Sequence, residues 1–267
     1  MIFVGRGALL RRAVDFTLSA GHRVDLVCSD GLDADVTAVR FLHTTDINVH
    51  ADAIREQCTD GIIWSIDNRM LFRAPLLDSG LRIYNIHNGL LPQHRGLPSV
   101  AVLFALLHGH TEYGATLHEV DQSIDTGRVL AEQRFAIGPD ARYHQVLLRG
   151  VQTCQRLFER CLSAVVAGLP QAPGTTPARP TSDPPPGYYG LRTLRDLRRY
   201  TDDPAYARAT DLGVTAAFVP EVEAAIARAV CAPGVEAPSA CARSTVTTAG
   251  TARDALRSSV TRPRPST

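Results

Sequence analysis

Along the first half of the chain, apolar residues fall into short runs separated by longer amphipathic stretches. Ile2–Val4, Val24–Cys28, Gly61–Ile66 and Arg82–His87 are runs of this kind. Bounded by turn residues and rich in branched side chains, they read as buried strands. Between them, Leu9–Leu18 and Ala51–Gln57 read as helices, and Val100–Leu107, apolar throughout, as a buried helix. Tyr113–Val120 and Val129–Ile137 read as the last two strands. Alternation of strands and helices at this spacing predicts an α/β domain. Its expected core is an open, mostly parallel twisted sheet with helices on both faces.

From about residue 142 to Leu169 the period changes. Val146, Leu147, Val151, Cys154, Leu157, Phe158, Cys161, Leu162 and Val165 form one stripe at helical spacing. A long helix here is expected to pack across the sheet and close a domain of residues 1–169. Residues 170–187 are rich in Pro, Thr and Gly and read as a linker. Residues 188–230 read as a helical extension: Tyr188–Arg192, a helical segment to about Arg199, and a second helix over Val219–Val230. In residues 231–267, Ala, Ser, Thr and Pro supply 22 of 37 positions, so a disordered tail is expected.

Composition narrows the chemistry. A net charge of +1 disfavours broad nucleic-acid contact, which needs a basic face. All 28 basic residues are arginine, a bias that a GC-rich genome accounts for. With no lysine, neither a lysine Schiff base nor a Walker-type phosphate lysine can form. The six cysteines make no CxxC pair and no zinc spacing, so reduced, largely buried thiols and no metal are expected. No run of apolar residues is long enough to span a membrane, and Met1–Gly5 reads as a strand rather than a signal sequence. A cytoplasmic protein follows as the expectation, and a homodimer is compatible with it.

The informative block is Asn85-Ile86-His87-Asn88-Gly89-Leu90-Leu91-Pro92-Gln93-His94-Arg95-Gly96. Side chains two apart on a strand share a face, so Asn85 and His87 should project together. In an open α/β sheet, ligands bind beyond the C-terminal ends of strands, where this pair is expected to lie. About thirty residues on, Val120-Asp121-Gln122-Ser123-Ile124-Asp125-Thr126-Gly127 ends another strand and should bring Asp125 to the same edge. An amide, an imidazole and a carboxylate suit acyl transfer between nitrogens. The amide and the protonated imidazole can donate to a developing oxyanion, and the carboxylate can hold the imidazolium and move protons. No G-x-S-x-G supplies a nucleophilic serine.

N-x-H followed by LLP and RG, then D-x-x-x-D-T-G, resembles the folate-dependent formyltransferases. These include glycinamide ribonucleotide formyltransferase, methionyl-tRNA formyltransferase and the sugar N-formyltransferases. The resemblance is clear over residues 60–135 and holds in outline over 1–60. It implies a Rossmann-like formyltransferase fold, with 10-formyltetrahydrofolate as co-substrate and a primary amine of a small molecule as acceptor. It also implies catalytic roles for Asn85, His87 and Asp125. Arg69, Met70 and Leu71 would hold the pterin through their backbone, with Val120 and Asp121 on the other wall. His118 would face the acceptor amine. Read on its own, Arg95 caps its loop or pairs with a carboxylate, with a substrate role as the alternative.

Departures refine the acceptor. Asn88-Gly89 stands where the nucleotide and tRNA enzymes have Pro-Ser or Ala-Ser, which points to amino sugars or amino-acid-derived amines. Gly5-Arg6-Gly7-Ala8-Leu9 lacks the Ser-Asn of a ribotide phosphate loop and reads as a tight turn. No strand pattern suggests the C-terminal β-barrel of the tRNA enzyme. Competing readings are a 10-formyltetrahydrofolate hydrolase, formylation of an aminoacyl group on tRNA or a carrier protein, and a non-catalytic folate-binding module. Hydrolases of this type carry an additional N-terminal regulatory domain, so transfer is expected ahead of hydrolysis. Met70 and Leu71 would be core residues on any reading, and Tyr188 and Tyr189 are expected to staple the linker to the core, with stacking on an acceptor ring as the alternative.

Overall fold

The computed structural model describes residues 1–31, 39–168 and 187–230. The expected linker lies outside these residues except for Gly187, as do Leu169 and the whole of 231–267. Strand β1 (Ile2–Gly5) leads into helix α1 (Gly7–Ser19), then β2 (Leu26–Ser29) and β3 (Phe41–His43). Helix α2 (Ala51–Gln57), β4 (Ile62–Ile66), the single turn α3 (Ala74–Leu77) and β5 (Arg82–His87) follow. After β6 (Arg95–Gly96) come α4 (Pro98–Leu107), β7 (Glu112–Glu119), β8 (Val129–Ala136) and α5 (Tyr143–Val166). Strand β9 (Tyr188–Tyr189), a 3-10 run over Leu191–Tyr200, α6 (Tyr206–Ala209), a 3-10 turn over Gly213–Phe218 and α7 (Pro220–Val230) complete the described chain.

Seven strands form one sheet in the order β3-β2-β1-β4-β5-β7-β8. The first five are mutually parallel, and β7 and β8 are antiparallel additions. β1 and β4 are buried along their whole length because helices cover both faces. On one face Phe158 of α5 sits edge-on to Phe3 and Trp64, with ring centroids 6.0 and 4.9 Å away, and meets Phe16 of α1. On the other, Ile2, Val4, Ile54, Ile63, Leu76 and Ile83 pack together. Gly5 is required at the end of β1, since a Cβ there would overlap the Ile66 carbonyl of β4.

Residues Val100–Leu107 of α4 are all buried. An all-apolar helix needs cover on every side. The extension supplies it: Tyr189, Leu194, Leu197, Leu212, Val219 and Val222 pack in one cluster with α4. β3 was not legible, because it is three residues long at the sheet edge with its ends exposed. The segment after Tyr189 is a 3-10 run rather than an ordinary helix. Among the described residues, no helix is long and apolar enough to cross a membrane.

Candidate active site

Asn85 and His87 do share a face of β5, and the antiparallel register sets His118 of β7 directly opposite Asn85. A register shift between Leu117 and His118 marks a bulge against β8 at this point. Bulges re-aim side chains beside functional sites. His118 Nδ1 donates to the Glu119 carbonyl at 2.8 Å, which leaves Nε2 to accept from the Asn85 amide at 2.9 Å. One amide hydrogen of Asn85 is thereby used, and the second has no partner among the described residues.

His87 is 5 % exposed. Its Nε2 donates to the His94 carbonyl at 2.7 Å, so Nδ1 faces the Asp125 carboxylate, with Oδ2 3.7 Å away. Asp125 Oδ1 lies 3.6 Å from His118 Nε2. The Asp125 carboxylate thus stands between two imidazoles at distances slightly too long for direct hydrogen bonds. Its Oδ2 accepts the Gly96 N–H at 2.8 Å.

The route by which Asp125 arrives differs from the expected one. β7 is antiparallel to β5, so Glu119 lies beside Tyr84 rather than at the strand end carrying His87. Residues 120–127 therefore fold back over the sheet. Val120 N–H bonds the Ile83 carbonyl at 2.8 Å, and Asp125 takes a left-handed backbone, φ 54°. Asp tolerates this conformation because its short polar side chain can bond locally. Asp121 knits the loop from within, accepting from Ser123 N–H at 3.1 Å and the Thr126 hydroxyl at 2.7 Å.

His118 and Arg95 both make contacts within the protein. His118 is 2 % exposed and sits between Asn85 and Asp125, inside the cluster. Arg95 donates through Nε and Nη2 to the Ile124 carbonyl at 3.1 and 2.8 Å, so its guanidinium holds the loop. The segment read as a pterin cradle is shaped by two asparagines that motif reading missed. Asn68 bonds both the N–H and the carbonyl of Met70, and Asn48 bonds the Leu71 carbonyl and the Arg73 N–H. Met70 is buried, but the Leu71 side chain is 56 % exposed, which corrects its assignment to the core. Arg69 is also exposed. His94, Gly96 and Thr116 were likewise unassigned. The Thr116 hydroxyl donates to the Gly89 carbonyl at 2.8 Å and accepts from Leu91 N–H at 3.2 Å, fixing the loop after His87.

Burial, then the nearby His87, hold the His118 pKa below the usual imidazole value, against the opposing pull of Asp125. A neutral His118 is what its bond from Asn85 requires. Burial also lowers His94 well below that value, with His110 and His87 adding to it, and lowers His108. For all three, the unfolded chain binds protons more readily than the folded one. Their contribution is complete above the unfolded value of 6.5 and is lost as the pH falls below it. The melting temperature should therefore drop on acidification from about pH 7.5 to about pH 5.5. A flat profile across that window would contradict the buried neutral histidines. Burial pushes the Cys28 thiol up to about 12 and raises Cys154 as well, which keeps both protonated and poor nucleophiles.

Among the described residues, no cluster of three or more His, Cys, Asp or Glu is placed to hold a metal ion. Residues 48–161 match the formyl transferase family model. Over 125 residues the chain is 30 % identical to methionyl-tRNA formyltransferase of Myxococcus xanthus, covering 45 % of this chain and 39 % of that enzyme. The match thus spans less than half of that curated relative. A sugar N-formyltransferase from Shewanella sp. superposes with a TM-score of 0.60 at 17 % identity, covering 78 % of this chain and 85 % of that one. A sugar 3N-formyltransferase solved in the presence of dTDP and 5-N-formyl-THF gives 0.53 at 14 % identity, covering 72 % and 69 %. These two likenesses are of fold, and the sequence match covers the strands and loops that carry Asn85, His87, His118 and Asp125. Over residues 48–161, which carry these four side chains, the chain is similar to the formyl transferase family.

Proposed function

We propose that this protein transfers a formyl group from 10-formyltetrahydrofolate to the primary amine of a small molecule, an amino sugar or an amino-acid-derived metabolite. One observation carries the reading: Asp125 lies 3.7 Å from His87 and 3.6 Å from His118, which accepts a hydrogen bond from Asn85, so the three groups share one cluster. The net chemistry joins the amine nitrogen to the formyl carbon, breaks the bond from that carbon to N10 of the folate, and moves one proton from the amine to N10. Asn85 has an amide hydrogen to offer the oxygen on which charge develops. A proton on His87 Nδ1 has no hydrogen-bonded partner at 3.7 Å from Asp125, so it too can turn to that oxygen. Among the described residues Asp125 Oδ1 accepts no hydrogen bond, and it is the proposed proton acceptor from the amine, directly or through one water.

On the donor side, the segment Arg69-Met70-Leu71, fixed by Asn48 and Asn68, is proposed to take the pterin, with the exposed Leu71 against its ring. Val120 and Asp121 stand on the opposite wall in this proposal. The neighbour solved with 5-N-formyl-THF and dTDP supports a folate donor and a sugar-nucleotide acceptor as the first pair to try. We place the catalytic domain at residues 1–169, with 188–230 as an extension covering α4.

The test follows tetrahydrofolate release and acceptor mass together. Incubation with 10-formyltetrahydrofolate and candidate amines should release tetrahydrofolate only when an amine is present and add one formyl group to it. Release without amine would make the enzyme a hydrolase, and no release with any amine would refute the proposal.

A further inference from the structure

We infer that strand β9 is a strut that aims the Gly96 N–H at Asp125, which makes Tyr189 and Gly96 positioning residues of the site. The inference rests on the catalytic reading of Asp125 for its kinetic consequence and on the backbone alone for its geometry.

β6 and β9 pair in parallel, Arg95 opposite Tyr188 and Gly96 opposite Tyr189. The Arg95 N–H bonds the Gly187 carbonyl at 3.0 Å and the Leu97 N–H bonds the Tyr189 carbonyl at 2.8 Å. In an extended chain successive N–H groups point to opposite sides. With those of Arg95 and Leu97 committed to β9, the N–H of Gly96 between them must point away from it. The Asp125 carboxylate receives it there at 2.8 Å. Pairing with a distant part of the chain therefore selects the orientation of the peptide group that holds the carboxylate.

Side chains lock the strut at both ends. The Tyr189 ring is nearly buried and stacks on Phe104 of α4, centroids 5.9 Å apart and 22° between planes. Arg95, which holds the Ile124 carbonyl, lies 5.9 Å over the Tyr188 ring. Gly96 has φ 100°, and a Cβ there would lie 2.5 Å from the Tyr189 carbonyl oxygen, so only glycine lets the two strands close. Without β9, the peptide between Arg95 and Gly96 would be free to rotate, and Asp125 would depend on its own left-handed loop. Misplacement of about 1 Å in a reacting group can cost roughly a hundredfold in rate.

The experiment uses the full chain with Tyr189→Ala, Tyr189→Leu as a milder alternative, and Tyr189→Phe, each alone and combined with Asp125→Asn. Tyr189→Ala should lower kcat about tenfold or more with little change in KM. Tyr189→Phe, which keeps the ring stack, should restore it. In the Asp125→Asn background the same change should cost less than about twofold, because the group it positions has already lost its function. An equal loss in both backgrounds, or none in either, would overturn the inference. Amide exchange at Gly96 decides the geometry without turnover. It should quicken about tenfold or more in Tyr189→Ala and return to the wild-type rate in Tyr189→Phe. An unchanged Gly96 rate in Tyr189→Ala removes the strut even if the enzyme is active. A quickened rate in a protein with no formyl transfer keeps the strut and discards the functional reading.

Discussion

Replacing Asp125 by asparagine is expected to lower kcat at least about a hundredfold while leaving the melting temperature close to that of the unsubstituted protein. Asparagine matches the shape of the carboxylate, and its amide oxygen can still accept the Gly96 N–H. What it loses is the charge facing His87 and the capacity to take a proton. His87→Ala should lower kcat by at least as much, but with a different signature in stability. The imidazole is buried, and its removal leaves a small cavity and strips the His94 carbonyl of its 2.7 Å donor. An unpaired buried acceptor costs about 1–3 kcal/mol, so this variant should melt measurably lower. Steady-state kinetics at saturating donor and amine, with circular-dichroism melts of both variants, check the pair. A kcat within about tenfold of the unsubstituted enzyme in either variant contradicts the assigned role.

A single methyl group on the loop should do nearly as much harm as loss of the carboxylate. A Cβ at Gly127 would overlap the backbone carbonyl of Glu119, which no side-chain rotation can relieve. The loop must then move, and Asp125 lies two residues before it. Gly127→Ala is therefore expected to lower kcat/KM about a hundredfold, in line with the cost of displacing a positioned group. The loop is largely exposed and contributes little to the core, so the fold should survive. Near-normal kcat/KM in Gly127→Ala would show that the loop can yield without moving the carboxylate.

The strut changes how the extension is understood. An apolar stripe in α7 and in the 3-10 run accounts for their docking on α4, and by that measure they only cover a hydrophobic helix. The pairing of Tyr188–Tyr189 with Arg95–Gly96 gives the same segment a second task. It links the cover of α4 to the hydrogen bond that holds the Asp125 carboxylate.

The order of most strands and helices, the long helix α5 and the shared face of Asn85 and His87 were legible in the chain itself. Hydrophobic period and turn chemistry are local properties: Ile62–Ile66 is apolar because both its faces are covered, and Asn85 and His87 share a face because they are two apart. What the tertiary structure alone decided is which polar group meets which. The antiparallel direction of β7, the bulge at His118 and the return of the 120–127 loop follow from long-range pairing. They set His118 between Asn85 and Asp125, and Arg95 against the Ile124 carbonyl of the loop. The Gly96 N–H found its direction from a strand some ninety residues away in the chain. A hydrogen bond between distant segments leaves no period in either of them, so the reading of residues stopped where those partners begin.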